Sequence, residues 1–259
     1  MTHAAFARSM VWWEHVAAPT RRRMAMHITV LIAAGLWLDA RYGWVGQHAA
    51  TLWTLVVWCA LFRLARTVER RMLILCTLIA AVGEIFLSLA WRLYDYQFGN
   101  VPLFVPPGHA LLMTLGLLAV RAVPPAAVRY LVLAVSAGAL IWAVMAWSRD
   151  TDRFGVVLAL LYGTCLAVGR DRPLYAAMFV LALIMEIYGT ILGNWRWQPV
   201  VPGWQLTAAN PPFSAGAFYC ALDLLVLAAL RAWQAISPYE RERLSAVLGD
   251  NAPHGERDA

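Results

Sequence analysis

The chain has 259 residues, of which 61% are hydrophobic and only 14% are charged, and its mean hydropathy is +0.61. This composition excludes a water-soluble domain and is typical of a multi-pass membrane protein. The net charge of +6 is carried by arginine without any lysine. We attribute it to membrane topology and expect no nucleic-acid partner.

Residues 1–23 are predicted to form an interfacial helix that precedes the first membrane span. Trp12 and Trp13 lie between Arg8 and a run of three arginines, a mixture suited to a membrane surface. The stretch lacks the cleavage pattern of a secretory signal peptide, so we expect none to be removed.

Eight apolar segments follow, each long enough to cross the ~30 Å hydrocarbon core as a helix. Backbone polar groups find no partner in lipid, so each span must be helical. The predicted spans are 24–40, 48–64, 72–91, 104–120, 128–147, 154–169, 174–192 and 213–233.

The distribution of arginine predicts the orientation of the spans. With a cytoplasmic N-terminus, sixteen arginines lie inside and five lie outside (Arg41, Arg92, Arg149, Arg153 and Arg196). The positive-inside rule then places both termini in the cytoplasm, and we expect the bacterial inner membrane as the location. The polar tail, 235–259, is predicted to be a short helix followed by disorder.

Two stretches about one hundred residues apart resemble each other. VGEIFLSLAWRLYDYQFGNVPLFVPPGHA and IMEIYGTILGNWRWQPVVPGWQLTAANPPFSAGA each carry a glutamate, a Trp-Arg pair, further aromatic residues and Pro-Pro before the next span. The sequence therefore predicts two four-helix repeats, 24–122 and 123–234. Since four is even, the repeats have the same orientation and are related by a two-fold axis along the membrane normal.

Three acidic residues are predicted to lie within the membrane and are the candidate catalytic residues. Glu84 and Glu186 occupy equivalent positions in the outer half of the bilayer, and Asp223 lies near its middle. A buried acid costs several kcal/mol, roughly, unless it is paired or protonated, which favours a functional role. The alternative is that these acids only hold helices together through hydrogen bonds.

The loops of the repeats supply candidate substrate contacts. They are Trp91, His109, Trp195, Trp197 and Asn210. The alternatives are that the tryptophans anchor the protein at the interface, that Asn210 is a turn or cap residue, and that His109 is structural. Alignment on Pro-Pro places His109 opposite Ser214, which shares no chemistry with it.

Neither a metal site nor a cofactor is predicted. The four cysteines lie singly in apolar segments, and no nucleotide-binding or nucleophile motif is present. Paired buried carboxyl groups surrounded by aromatic rings suit protonation of a double bond and stabilisation of the resulting cation.

The glutamate motifs resemble those of bacterial and archaeal carotenoid-biosynthesis membrane proteins that include carotenoid hydratases. The resemblance rests on Glu186-Ile-Tyr-Gly with Gly193-Asn-Trp-Arg-Trp, and on Glu84 followed by Tyr94 and Tyr96. It departs after Glu84, where Leu87 and Trp91 replace the expected glycines. It implies Tyr94 and Asn194 as further substrate contacts and an isoprenoid as the substrate.

From these observations we expect an all-α membrane enzyme that hydrates or cyclises a double bond of an isoprenoid or similar lipid by acid catalysis. Its cavity would lie between the repeats and open toward the outer leaflet. Two alternatives remain open: a small proton-coupled transporter or flippase that uses the same acids, and a non-catalytic scaffold. The sequence identifies no protein partner.

Overall fold

The computed structural model describes the backbone of residues 12–249 and the side chains of residues 12–233. Within this range, helices joined by loops make up the chain, together with one two-stranded ribbon. Its elements are α1 (Ala18–Leu64), α2 (Thr67–Glu84), a π-helix (Ile85–Ala90), β1 (Tyr94–Tyr96), α3 (Val105–Ala122), α4 (Pro125–Arg149), α5 (Arg153–Val168), α6 (Arg172–Leu192), β2 (Trp195–Trp197) and α7 (Gly216–Gly249).

The first helix is a hairpin of two arms. Gly43 interrupts it with φ 59° and ψ −135°, a conformation that a side chain would disfavour. A Cβ atom built on Gly35 would lie 3.7 Å from the Cβ atom of Ala50, whereas residues fifteen apart on a straight helix are separated by about 22 Å. The chain therefore reverses at Gly43, between the first two predicted spans.

Six of the helices in the described part of the chain are long and apolar enough to cross a membrane. They are Ala18–Leu64, Thr67–Ala90, Val105–Ala122, Pro125–Arg149, Arg172–Leu192 and Gly216–Trp233. Arg153–Val168 is apolar but shorter. These helices indicate a multi-pass membrane protein, as the composition predicts.

Proline and capping residues define where several helices begin. Proline occupies the first turn of α1, α3, α4 and α6, where its missing N–H group leaves no hydrogen bond unmade. Asp152 precedes α5 and accepts a hydrogen bond from the backbone N–H of Gly155 at 3.1 Å. The predicted boundary between the two halves falls in the two-residue turn between α3 and α4.

Four helices form the centre of the bundle. α2 contacts α3 and α7, and α6 contacts α7 and α3. The α1 hairpin packs on α3 and α6, whereas α4 and α5 pack on α6 and α7. The two predicted halves therefore meet along α2–α7 and along α3–α6, and the candidate site lies between these two contacts.

The predicted terminal segments lie partly outside the described residues. Residues 12–17 form a turn, and α1 begins at Ala18, so the three arginines predicted for an interfacial helix belong to α1. Trp13 is fully buried. The backbone of α7 extends to Gly249, past the predicted start of the tail at residue 235. Residues 1–11 and 250–259 lie outside the described part of the chain.

Candidate active site

The two loops that carry the matching motifs pair with each other. β1 and β2 are antiparallel, with Tyr94 opposite Trp197, Asp95 opposite Arg196 and Tyr96 opposite Trp195. In each strand the two aromatic side chains are buried and the charged residue between them is exposed. Because side chains alternate along a strand, all four rings project from one face of the ribbon, towards the interior of the bundle.

Glu84 is buried at the end of α2 and takes part in three hydrogen bonds. The hydroxyl groups of Tyr94 and Tyr96 both donate to its Oε2 atom at 2.7 Å. The Nε2 atom of His109, on α3, lies 2.9 Å from its Oε1 atom. One carboxyl oxygen thus faces the ribbon and the other faces the neighbouring helix.

Glu186, on α6, has the same arrangement with different partners. The indole N–H groups of Trp195 and Trp197 donate to its Oε2 atom at 2.8 and 3.0 Å. The hydroxyl group of Tyr219, on α7, donates to its Oε1 atom at 3.0 Å. Each glutamate is therefore held by two aromatic residues of its own loop and by one residue of the following helix.

The π-helix compensates for a difference in length between the two motifs. Ten positions separate Glu84 from Tyr94, but nine separate Glu186 from Trp195. In the first motif the extra residue is accommodated by the wide turn Ile85–Ala90, where the N–H of Trp91 donates to the carbonyl of Phe86. α6 continues as a regular α-helix to Leu192. As a result, both pairs of aromatic residues reach their glutamates from equivalent directions.

Gly189 provides the space that Trp195 occupies. A Cβ atom at this position would collide with the six-membered ring of the Trp195 indole. α6 then ends at Gly193, whose φ of 82° suits a left-handed helix cap. The glycines after Glu186 therefore allow the indole to fold back over the helix and reach the carboxyl group.

His109 and Tyr219 are in contact with each other as well as with the two glutamates. Their rings stack with centroids 4.7 Å apart and planes inclined by 17°. Tyr219, and not Ser214, is thus the partner of Glu186 that corresponds to His109. Alignment on Pro-Pro misses this correspondence because Pro106 and Pro107 lie in the first turn of α3, whereas α7 begins four residues after Pro212.

The two glutamates and their hydrogen-bond partners form what we call the glutamate cluster. Two mainly apolar cavities flank it, with volumes of about 70 and 210 Å³. The first, which we call the α1 cavity, lies among α1, α3 and α6. The second, which we call the α2–α7 cavity, lies between α2 with its π-helix and α7. Both are lined by the same five residues of the cluster: Glu84, Tyr94, His109, Glu186 and Tyr219.

The partners give the two glutamates different proton chemistry. An indole N–H group can only donate, so the Oε2 atom of Glu186 must act as an acceptor for two hydrogen bonds. Glu84 instead contacts an imidazole, the side chain best suited to exchange protons near neutral pH. Glu84 therefore has a neighbour that can exchange a proton with it, whereas the two indoles that contact Glu186 cannot.

The two tyrosines of β1 remain protonated donors. Burial, and after it the negative charge of Glu84, raises the pKa of Tyr94 and of Tyr96 well above the usual range. Both hydroxyl groups can thus donate to Glu84 at any physiological pH.

Asp223 is fully buried in α7 and does not line either cavity. Within the described part of the chain, neither of its carboxyl oxygens has a hydrogen-bond partner. The thiols of Cys76, Cys165 and Cys220 are close enough to Asp223 for a charge on its carboxyl group to act on them. No group of three or more His, Cys, Asp or Glu among the described residues is arranged to hold a metal ion.

The remaining predicted residues have different positions. Trp195 lines the α1 cavity and Trp197 the α2–α7 cavity. Trp91 lies outside both and donates to the carbonyl of Pro202 at 2.9 Å. Asn194 donates to Asp39 and to the carbonyl of Leu36, and Asn210 accepts a hydrogen bond from the backbone N–H of Trp197. These last three side chains connect elements and do not face the cavities.

Sequence reasoning missed two residues of the cluster. Tyr96 could have been found from the alternation of Tyr94-Asp-Tyr96, which matches Trp195-Arg-Trp197. For Tyr219 the sequence gives no signal, because the loop before α7 differs in length from the loop before α3. Comparison with protein-family models, with curated proteins and with solved structures finds no match for this chain.

Proposed function

We propose that this protein is a membrane enzyme that adds a proton to a double bond of an isoprenoid or similar lipid, with hydration or cyclisation as the outcome. One observation carries the proposal: two glutamates with unlike hydrogen-bond partners line the same two apolar cavities. The resemblance of the motifs to carotenoid hydratase-like proteins agrees with this chemistry.

The proposed enzyme crosses the bacterial inner membrane eight times as two repeats, with both termini in the cytoplasm. The α1 hairpin supplies two crossings and the short α5 supplies one, in addition to the other five long helices. The reciprocal pairing of β1 with β2, together with the matched partners of the glutamates, supports a two-fold relation between the repeats. The site then lies at their interface.

In the proposed reaction, Glu84 delivers a proton to one carbon of the double bond, and the π electrons form the new C–H bond. The other carbon becomes a cation. Water adds to it and releases a proton, which gives an alcohol, or a second double bond attacks it and a proton is lost, which gives a ring. In both cases the released proton returns to Glu84, and His109 assists the exchange.

The surroundings suit a cationic intermediate. The Glu186 carboxyl group faces the cluster, and the rings of Tyr94, Tyr219 and the two ribbon tryptophans lie about it. Aromatic faces attract cations, and a carboxylate in an apolar site stabilises positive charge more strongly than it would in water. The apolar lining of both cavities excludes most competing water, so the cation survives long enough to react.

Expression in a host that makes polyprenoids tests the proposal. Lipid extracts from cells with the wild-type protein should contain a polyprenoid with an added hydroxyl group or ring. Glu84→Gln should insert and fold normally, because glutamine has nearly the same shape, but it should yield no product because an amide cannot donate the proton. Extracts that do not differ between wild type and an empty vector would overturn the enzyme proposal.

A proton-coupled transporter is the second candidate, and Asp223 favours it. A fully buried carboxyl group without a hydrogen-bond partner in the described part of the chain lies one helical turn from Tyr219, which contacts Glu186. Transport would require Asp223 to bind and release protons. Proton-linked solute uptake that is lost in Asp223→Asn, in cells whose lipids are unchanged, would replace the enzyme proposal with this one.

A further inference from the structure

The two cavities beside the glutamate cluster differ in how they meet the surrounding lipid. The α1 cavity is covered by both arms of the α1 hairpin, which contribute Leu31, Ile32, Gly35, Leu36, Ala50 and Thr54 to its lining. No described residue of α4 or α5 lines the α2–α7 cavity. The hairpin thus lines one side of the site, whereas α4 and α5 do not line the other.

Residues of the second predicted half donate hydrogen bonds to the first arm of the α1 hairpin. The Nδ2 atom of Asn194 donates to the carbonyl of Leu36 at 3.0 Å and to a carboxyl oxygen of Asp39 at 2.7 Å. The hydroxyl group of Tyr188, on α6, donates to the carbonyl of Ala33 at 3.1 Å. These bonds fix the first arm of α1 across the contact between α3 and α6.

The α2–α7 cavity has an apolar edge and small residues in its walls. Phe86 and Leu225 border it and are 55% and 57% exposed, so both face lipid in a membrane. Ala80 and Gly83 on α2, with Ala221 on α7, line the space between the helices. Their small side chains leave room between helices that would otherwise pack closely.

We propose that the α2–α7 cavity is the entrance through which an elongated apolar lipid chain passes sideways from the bilayer to Glu84 and Glu186. The inference rests on the proposed function for its substrate class, an isoprenoid or similar linear lipid. An apolar lipid chain fits this cavity because an exposed apolar edge, an apolar lining and the glutamate cluster follow one another from the surface inward. We assign the entrance to the α2–α7 cavity because both arms of the α1 hairpin line the α1 cavity, on its side toward the lipid.

Two glycines offer a matched pair of variants. Gly83 lines the α2–α7 cavity and Gly108 lines the α1 cavity, and a Cβ atom at either position meets nothing within 4 Å. Gly83→Leu should therefore fill the proposed entrance, and Gly108→Leu should fill the other cavity. Gly83→Ala and Gly108→Ala are the controls for folding, since alanine favours the helix without filling the space.

The probe is a geranylgeraniol that carries a photoreactive diazirine at its hydrocarbon end, with the full-length protein in lipid nanodiscs. Labelled peptides are identified by mass spectrometry. The wild type should be labelled on the π-helix and on α7, near Phe86 and Leu225. Gly83→Leu should reduce this labelling by about tenfold, whereas Gly108→Leu should leave it within about twofold.

Labelling confined to α1 and α3, lost in Gly108→Leu and kept in Gly83→Leu, would overturn the proposal, and so would the absence of specific labelling at either cavity. The readout does not depend on turnover. If the wild type is labelled near Phe86 and Leu225 but forms no product in the expression experiment, the entrance stands and the proposed reaction fails.

Discussion

Glu186 shows how single residues set the properties of the site. Two of its three donors are indoles that can only donate, and Tyr219 supplies the third hydrogen bond from a different helix. A hydrogen bond to a charged group contributes about 1.5–3 kcal/mol in proteins, more than one between neutral groups. Tyr219 therefore contributes to the stability of the α6–α7 contact through its hydrogen bond to Glu186.

Tyr219→Phe should lower the free energy of unfolding by about 1.5–3 kcal/mol, because it leaves the Oε1 atom of Glu186 without its donor. Tyr175→Phe is the matched control: Tyr175 is buried like Tyr219, and within the described residues its hydroxyl group has no hydrogen-bond partner. Thermal unfolding in detergent measures both variants. Equal shifts would mean that the Tyr219 hydroxyl group does not stabilise Glu186.

Among the secondary-structure elements, the π-helix gives the first motif the same arrangement of rings around its glutamate as the second motif has. It takes up the one extra residue between Glu84 and Tyr94, so that the rings of β1 face Glu84 as those of β2 face Glu186. The sequence could not predict it. Apolar periodicity locates a helix in IFLSLA, but the width of the turn depends on where the ribbon anchors the chain beyond it.

Deletion of one exposed residue from each motif tests this role. Removing Leu89 from the π-helix should convert it to a regular α-helix with the spacing found between Glu186 and Trp195, and the protein should still fold. Removing Ile191 from α6, which has no extra residue, should shift β2 by one position and turn both tryptophans to the wrong face. Leu89 and Ile191 are 47% and 77% exposed, so neither deletion empties the core. Size-exclusion profiles and thermal unfolding compare the variants; two deletions of equal severity would contradict the account.

At the scale of the whole molecule, the sequence predicts the membrane character and the importance of the two loops better than it predicts their contacts. Apolar runs and the matched motifs indicate helices and bring Glu84 and Glu186 to one place, and both glutamates do line the same cavities. Asp223 shares their burial but lies away from these cavities, because burial depth along a helix does not determine the direction of a side chain.

The sequence also does not predict the difference between the elements that surround the two cavities. The α1 hairpin lines the α1 cavity, whereas no described residue of α4 or α5 lines either cavity beside the glutamate cluster. Bonds from Asn194 and Tyr188, which join residues more than 150 positions apart, hold the hairpin there. Such long-range contacts leave no local pattern. They nevertheless determine which elements surround each side of the glutamate cluster.

In the proposed reaction, the glutamate cluster adds a proton from solvent to a carbon of a lipid double bond. The most direct test is to let membranes that contain the protein form product in deuterium oxide, to exchange the hydroxyl hydrogens back in ordinary water, and to measure the mass of the product. We expect one carbon-bound deuterium per protonated double bond with the wild type and no product with Glu84→Gln. A product that carries no carbon-bound deuterium would contradict it.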